Sequence, residues 1–327
     1  MATRIKDVAK RAGVSSATVS RVLSKKSDYV SDDLSARVKA AVKELNYRPN
    51  RVARSLRIQR SSVIGLVISD IQNSFFNTVV KAVEDTAQEH GYSVFLCNSD
   101  ENKEREKKYL ELFLDEQVAG VILTPTQEAS PHYQALLDAN IPMSVLDRKI
   151  PNIPVDTIVT NNQETSRLLV RHLIHQGHQS IAIVLSDLRI ATGKERLAGY
   201  KQALTEADIP VDERLIFKGE PIWQDGYALA KQLFKLEKTP SAIFTASKMI
   251  TLGVLRYLYE HDIAIPNDVA IAAYDSLDWM PNAPSLLVAE QPAYELGAQA
   301  TKKLLARIDN PNLPVEHVVL PSLLRFT

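Results

Sequence analysis

Apolar positions recur at helical spacing in the first part of the chain and alternate between short strand-like runs and helical stripes in the rest. Ile5, Val8, Ala9 and Ala12 form one helical stripe that Gly13 terminates. Ser15 is placed to cap a second helix, whose stripe is Val19, Val22 and Leu23. Ser31, followed by Asp32 and Asp33, opens a third helix that turns Leu34, Val38, Ala41, Val42 and Leu45 inward. From Tyr47 to Arg57 a shorter amphipathic stretch follows: Pro49 suits a first helical turn, Val52, Ala53 and Leu56 share a face, and Arg51, Arg54 and Arg57 carry charge. A segment below roughly 12 residues bears the cost of nucleation without enough propagation to offset it, so this stretch is expected to order only against a partner.

At Val63–Ile68 the pattern changes to a near-continuous apolar run, as in a strand covered on both faces of a parallel sheet. Helical segments are then expected at 76–90, 103–117 and 131–139, alternating with strands at 92–97, 120–123 and 143–146. The alternation restarts after Asn162, with helices at 163–176, 194–207, 226–236 and 249–261 and strands at 181–185, 214–218, 242–245 and 269–274. Two such units imply two lobes with a cleft between them. A last helix is expected at 293–308.

The net charge of zero conceals an asymmetry. The first 60 residues hold 15 Lys and Arg against 5 Asp and Glu, a net of +10, whereas the remainder holds 24 against 34, a net of −10. A basic head on an acidic body is the electrostatic footprint of a protein that meets nucleic acid through its head. A single cysteine, Cys97, excludes an internal disulfide and is expected to be core packing. No run of 18 apolar residues and no signal-peptide core occurs, which leads to an expected cytoplasmic protein with no membrane partner.

The segment Ile-Lys-Asp-Val-Ala-x-x-Ala-Gly-Val-Ser-x-x-Thr-Val-Ser-Arg-Val-Leu from Ile5, followed by Val-x-x-Leu-x-Tyr-x-Pro-Asn-x-Val-Ala-Arg-Ser-Leu from Val42, resembles the lactose-repressor/galactose-repressor family over residues 3 to 58. The resemblance implies a small all-α helix-turn-helix head plus an α/β, periplasmic-binding-protein-like body of two doubly wound parallel-sheet lobes. It divides the chain into a head (1–46), a hinge helix and linker (47–60), a first lobe (61–161 with 292–320) and a second lobe (162–291 with 321–327). It also implies contacts with double-stranded, pseudo-palindromic operator DNA at Ser15, Ser16, Ala17, Thr18 and Arg21 of the head and at Tyr47, Asn50, Arg51, Ala53 and Leu56 of the hinge. Ser16, Ala17 and Arg21 take the base-reading positions in the major groove, and Leu56 that of a leucine wedged into the central base step of the minor groove. A homodimer matches the two-fold symmetry of such a site, and no leucine heptads follow Ser322 to build a tetramer.

Ligands of open parallel sheets bind beyond the carboxyl ends of the strands. Phe75 and Phe76 follow the first strand and could stack on a ring, and Asp147 and Arg148 form a charge pair at the end of the fourth. By resemblance Arg196 and Asp275 bind the effector, their fork and carboxylate suited to paired hydroxyls, so a sugar is the default ligand. Trp223 is a further stacking candidate. Many members of the family carry Asn-Asp where this chain has Ser247-Lys248, and exchanging a carboxylate for the Lys248 ammonium favours a sugar phosphate or sugar acid; a Lys248 that points to solvent would leave a neutral sugar.

His172, His175 and His178 invite a metal reading, but Gly177 interrupts the helix between the last two, and neither a metal nor a cofactor is expected. The chain has no P-loop, no Gly-x-Gly-x-x-Gly and no Gly-x-Ser-x-Gly, which argues against an enzyme. A solute-binding protein on the same fold is opposed by the basic head. The expectation is a repressor of carbohydrate-metabolism genes.

Overall fold

The structure is a computed structural model that describes residues 4–23, 30–47, 61–186, 188, 191–275 and 286–326. The chain divides into two compact units, Met1–Ser61 and Ser62–Thr327. Asn50, Arg51, Ala53 and Leu56, and with them most of the expected hinge helix, lie outside the described residues.

The first unit holds α1 (Ile5–Ala12), α2 (Ser16–Leu23) and α3 (Asp32–Glu44). Gly13 adopts φ 65°, and the Val14 amide reaches back to the Ala9 carbonyl at 3.0 Å, so glycine ends α1 as its left-handed freedom allows. Ser15 Oγ accepts the Thr18 amide at 3.1 Å and so caps α2. Ser31, expected to cap α3 in the same way, precedes that helix with no side-chain cap bond, and the first-turn Asp32 and Asp33 are left to favour the helix dipole. Val8, Val19 and Val38 are wholly buried where the three helices meet, each contributing roughly 2 kcal/mol. Arg37 Nη2 donates to the Ala12 carbonyl at 2.7 Å and Arg11 pairs with Glu44 at 2.7 Å, fastening α3 to α1.

The second unit contains two six-stranded sheets. The first joins β1 (Val63–Ile68), β2 (Ser93–Asn98), β3 (Gly120–Leu123), β4 (Met143–Leu146), β5 (Asp156–Thr160) and β11 (His317–Leu320), all parallel, in the order β11-β5-β4-β3-β1-β2. The second joins β6 (Ile181–Ser186), β7 (Ile216–Gly219), β8 (Ala242–Thr245), β9 (Ala270–Tyr274), β10 (Leu287–Glu290) and β12 (Leu323–Phe326), in the order β12-β10-β9-β8-β6-β7, with β12 alone antiparallel. Helices α4 (Ser74–Glu89), α5 (Lys103–Asp115), α6 (Pro131–Asp138) and α11 (Ala293–Asp309) cover the first sheet, and α7 (Asn162–His175), α8 (Ala191–Glu206), α9 (Trp223–Leu233) and α10 (Lys248–Glu260) the second. Helix α11 returns to the first sheet: Leu296, Ala300 and Leu304 pack with Val79 and Val83 of α4. Gly253 of α10 lets α9 approach so closely that a Cβ there would stand 2.0 Å from the Trp223 carbonyl oxygen.

Three crossings join the sheets, and side chains tie them together. Thr160 Oγ1 donates to Gln291 Oε1 at 3.3 Å, and the Ser322 amide donates to Asn161 Oδ1 at 3.0 Å.

The sequence pattern did not disclose β5, β10, β11 or β12. Strand β5 hides because its Asp156 and Thr157 are polar yet buried: Arg307 donates to Asp156 at 2.7 and 3.0 Å, and the Glu316 amide donates to it at 2.9 Å. The strand expected at 214–218 begins later, because the Asp212 side chain accepts the Arg214 amide at 3.0 Å and draws Glu213–Leu215 into a 3₁₀ turn. No helix among the described residues is long and apolar enough to cross a membrane.

Candidate functional site

The carboxyl ends of the strands in the two sheets face a cleft of about 420 Å³. Each wall presents an aspartate at the same topological place. Asp147 follows β4 with φ 68°, its amide donating to Ile158 of the neighbouring β5 at 2.9 Å; Asp275 follows β9 with φ 71°, its amide donating to Ala289 of the neighbouring β10 at 2.8 Å. Aspartate tolerates the left-handed region better than most residues, and such conformations concentrate at functional sites. Both line the cleft and both are buried, at 6 % and 9 % exposure.

The guanidiniums beside them are held differently. Arg148 is 7 % exposed and grips Glu101 with both Nη atoms, one of these contacts at 2.8 Å. It also donates to the Pro125 carbonyl at 2.9 Å and to Ser69 Oγ at 3.3 Å, and its Nε lies 3.4 Å from Asp147. Arg196, on α8 and also 7 % exposed, donates through Nε to Asn162 Oδ1 at 3.0 Å and through Nη1 to the Ala246 carbonyl at 2.7 Å. Its guanidinium carbon stands 3.6 Å from the centre of the Tyr274 ring. Asp275 accepts from Gln291 Nε2 at 2.7 Å, so the Thr160–Gln291 bond between two crossings runs on into the cleft.

Burial pushes the carboxyls of Asp147 and Asp275 above the ordinary aspartate range, and Arg196 opposes the shift at both, with Arg148 doing so at Asp147. Burial likewise raises Asp70, which follows β1, and the nearby Asp100 and Glu101 add to the rise.

Phe75 and Phe76 also line the cleft, at the start of α4, which Asn73 caps by accepting the Phe75 amide at 3.1 Å. Their rings meet edge to face at 4.9 Å, and both belong to the core beneath the first sheet as well. Trp223 is not among the lining residues: Arg256 covers its ring at 4.7 Å, and the preceding Pro221 and Ile222 reach the cleft instead. Lys248 stands beside the main cleft, lining an adjoining hollow with Phe75 and Asp275, and its Nζ donates to Ser74 Oγ at 2.7 Å, from one lobe to the other. Two more ammonium contacts bridge the lobes, Lys194 to Glu128 at 2.6 Å and Lys149 to Glu195 at 3.4 Å.

Asp70, Glu101 and Gln291 were not singled out in the sequence. The rule that ligands gather beyond strand ends reaches the first two, which follow β1 and β2. Gln291 carried no signal, because β10 before it was not recognised. Of the three histidines, His178 Nδ1 lies 2.9 Å from Ser241 Oγ and His172 packs edge-on against Phe326 at 5.5 Å. No group of three or more His, Cys, Asp or Glu among the described residues could hold a metal.

In the helical unit, Ser15, Ala17 and Arg21 are exposed and Ser16 and Thr18 partly so; Ala17 and Arg21 lie on the face of α2 opposite the buried Val19 and Val22. Ala17 and Arg21, one helical turn apart, share a side of the helix. Tyr47 packs against the helical core, its amide donating to Val42 at 3.0 Å behind Asn46 at φ 44°.

Residues 4–50 match the family described as bacterial regulatory proteins, lacI family, and residues 61–320 match periplasmic binding proteins and sugar binding domain of LacI family. The chain is 38 % identical to a ribose operon repressor of Halalkalibacterium halodurans, an alignment that covers 98 % of this chain and 95 % of the relative. The crystal structure of the lac repressor dimer bound to operator and the anti-inducer ONPF superposes with a TM-score of 0.87 at 28 % identity, covering 99 % of this chain and 98 % of that one. The transcriptional regulator CelR in its cellobiose complex superposes with a TM-score of 0.75 at 29 % identity, again covering 99 % and 98 %.

Proposed function

We propose, from the premise that the chain belongs to the lacI family of bacterial regulatory proteins and is a DNA-binding transcriptional repressor, that it binds a pseudo-palindromic operator as a homodimer and is controlled by a sugar-type effector in the interlobe cleft. It is a regulator and not an enzyme, like the relatives it matches.

On the DNA side, the exposed Ala17 and Arg21 and the half-buried Ser16 at the start of α2 support the reading. Small residues at the N-terminal end allow the helix to approach base edges, and an arginine one turn on can pair with a base or a phosphate. Ser15 and Thr18, joined at 2.9 Å, hold the start of that helix at the groove. Tyr47 positions the chain as it leaves the head, and Asn50, Arg51, Ala53 and Leu56 form the hinge contacts in the minor groove. The lac repressor dimer bound to operator is the relative that supports the two-headed arrangement.

On the effector side, the observation that carries the reading is the pair Asp147 and Asp275, one buried carboxylate from each lobe in mirrored backbone geometry on facing walls. Carboxylates and guanidinium forks bind vicinal hydroxyls in pairs, which suits Asp147, Arg148, Arg196 and Asp275 to a polyhydroxylated ring, with Phe75 and Phe76 against its apolar face. CelR in complex with cellobiose is consistent with a sugar. An anionic sugar has less support: Lys248 is engaged with Ser74, and the cleft lining is rich in carboxylates. Trp223 acts at one remove, through the position of Pro221 and Ile222. A ligand that touches both walls favours one lobe arrangement by about 1 to 3 kcal/mol, which is enough to switch operator affinity.

Operator binding measured over increasing salt, with Leu56→Ala as the variant, tests the first half. A steep salt slope, and a Leu56→Ala protein that loses operator affinity but retains sugar binding, are expected. Binding indifferent to DNA sequence overturns the operator reading. Calorimetric titration with sugars tests the second half, and binding unaffected by Asp275→Asn removes the cleft as the site.

A further inference from the structure

The charge of the cleft goes beyond what a neutral sugar requires. Six carboxylates and two guanidiniums line it among the described residues. On the first wall the guanidinium is not left over for an anionic ligand. Arg148 is matched by Glu101 and Asp147, whereas Arg196, on the second wall, is held by two neutral acceptors and an aromatic ring and keeps its charge beside Asp275.

Two observations then point to the chemistry of the ligand. Asp147 is 6 % exposed and lines the cleft, yet its carboxylate accepts no hydrogen bond among the described residues. A buried carboxylate that has an ion pair at 3.4 Å but no hydrogen bond among the described residues is incompletely satisfied, and a ligand that donates to it recovers part of that cost. Asp70 lines the same cavity on the same wall; its carboxylate accepts the Gln72 amide at 2.8 Å and has no ion-pair partner among the described residues. Asp100 and Glu101 stand near enough to raise its proton affinity; Asp100 is paired with Arg105 and Glu101 with Arg148, which leaves Asp70 as the acid at this end of the cleft without a cation among the described residues. A hydroxyl donates a hydrogen bond to such a group but leaves the charge in place, whereas an ammonium does both.

We propose that the natural effector is an amino sugar or aminated polyol, whose hydroxyls reach Asp147 and Asp275 and whose ammonium lies against Asp70. This rests on the reading of the cleft as the effector site. A ligand of this kind brings one positive charge to the wall that has the greater carboxylate excess, and it needs no movement of Arg148 or Arg196 from their partners.

Calorimetric titration of the full-length protein with three matched sets tests it: glucose, glucosamine and glucose 6-phosphate, and the galactose and mannose counterparts of each. In at least one set the amine is expected to bind about tenfold more tightly than its neutral parent at low salt, with the advantage shrinking at about 1 M NaCl. Asp70→Asn keeps the oxygen that accepts the Gln72 amide and is expected to bring the advantage below about threefold. A neutral or phosphorylated sugar that binds as tightly as its amine overturns this inference and leaves the effector reading intact. Binding by no member of any set overturns both.

Discussion

The two walls of the cleft are built to one plan and charged to different ends. Each ends a strand on a left-handed aspartate whose amide is pinned to the next strand, and each sets a buried arginine nearby. On the first wall that arginine is consumed by carboxylates, Glu101 and Asp147, with Asp70 and Asp100 close by. On the second, Arg196 is held by an amide oxygen, a backbone carbonyl and the face of Tyr274. A guanidinium kept by neutral groups retains its charge beside Asp275, whereas one kept by acids is a structural tie. Symmetry of backbone therefore does not carry symmetry of role: the first wall supplies acceptors, and the second supplies a cation beside an acceptor.

Removing the structural tie should cost most. Glu101→Gln leaves the Arg148 charge buried with the 3.4 Å contact to Asp147 as its one remaining ion pair among the described residues, and it is expected to lower unfolding free energy by about 3 kcal/mol, read by urea denaturation. A loss below about 1 kcal/mol would make Arg148 as independent of acids as Arg196. On the other wall, Arg196→Met keeps much of the bulk under Tyr274 but removes the fork, and effector affinity is expected to fall about a hundredfold by calorimetry.

A smaller effect separates the aspartates from their surroundings. Burial raises the folded-state values of Asp147 and Asp275, so the folded protein holds these protons more tightly than the unfolded chain. The associated stability is present below the ordinary aspartate range and is lost as pH rises through the raised values. Asp147→Asn should remove its share of that loss: thermal melts of ligand-free protein from about pH 4 to about pH 8 are expected to show the variant gaining roughly 2 to 4 °C at the neutral end while its effector binding weakens. The smallest effect belongs to the contact between walls. Lys248→Ala deletes the donor to Ser74 and is expected to cost under about 1 kcal/mol of stability, with any change in effector affinity appearing as a looser lobe arrangement in small-angle scattering.

Much of this architecture was legible in the chain. The stripes of α1 to α3 and the apolar runs of β1, β3, β4 and β8 could be read because their residues are buried by the period of their own element. The cap at Ser15 was readable, yet the same reasoning failed at Ser31, where the helix begins without the side chain's help. Strand β5 was hidden because an arginine 151 positions away makes the burial of Asp156 tolerable, and no local pattern reports such a partner. Phe75, Phe76, Asp147, Arg148, Arg196 and Asp275 do meet in one cleft, while Trp223 and Lys248 stand beside it because α9 and α10 begin at Trp223 and Lys248 themselves and turn those side chains toward Arg256 and Ser74.

By itself the sequence determined the helical head, the basic and acidic division of the chain and the doubly wound alternation, because periodicity and net charge are properties of residues near one another in the chain. Which side chains face each other across the cleft, which arginine is already spent and which carboxylate lacks a donor were decided only in the tertiary structure. Those depend on contacts such as Arg148 with Ser69, Gln291 with Thr160 and Lys248 with Ser74, whose energies come from burial and from pairing between positions 79, 131 and 174 residues apart.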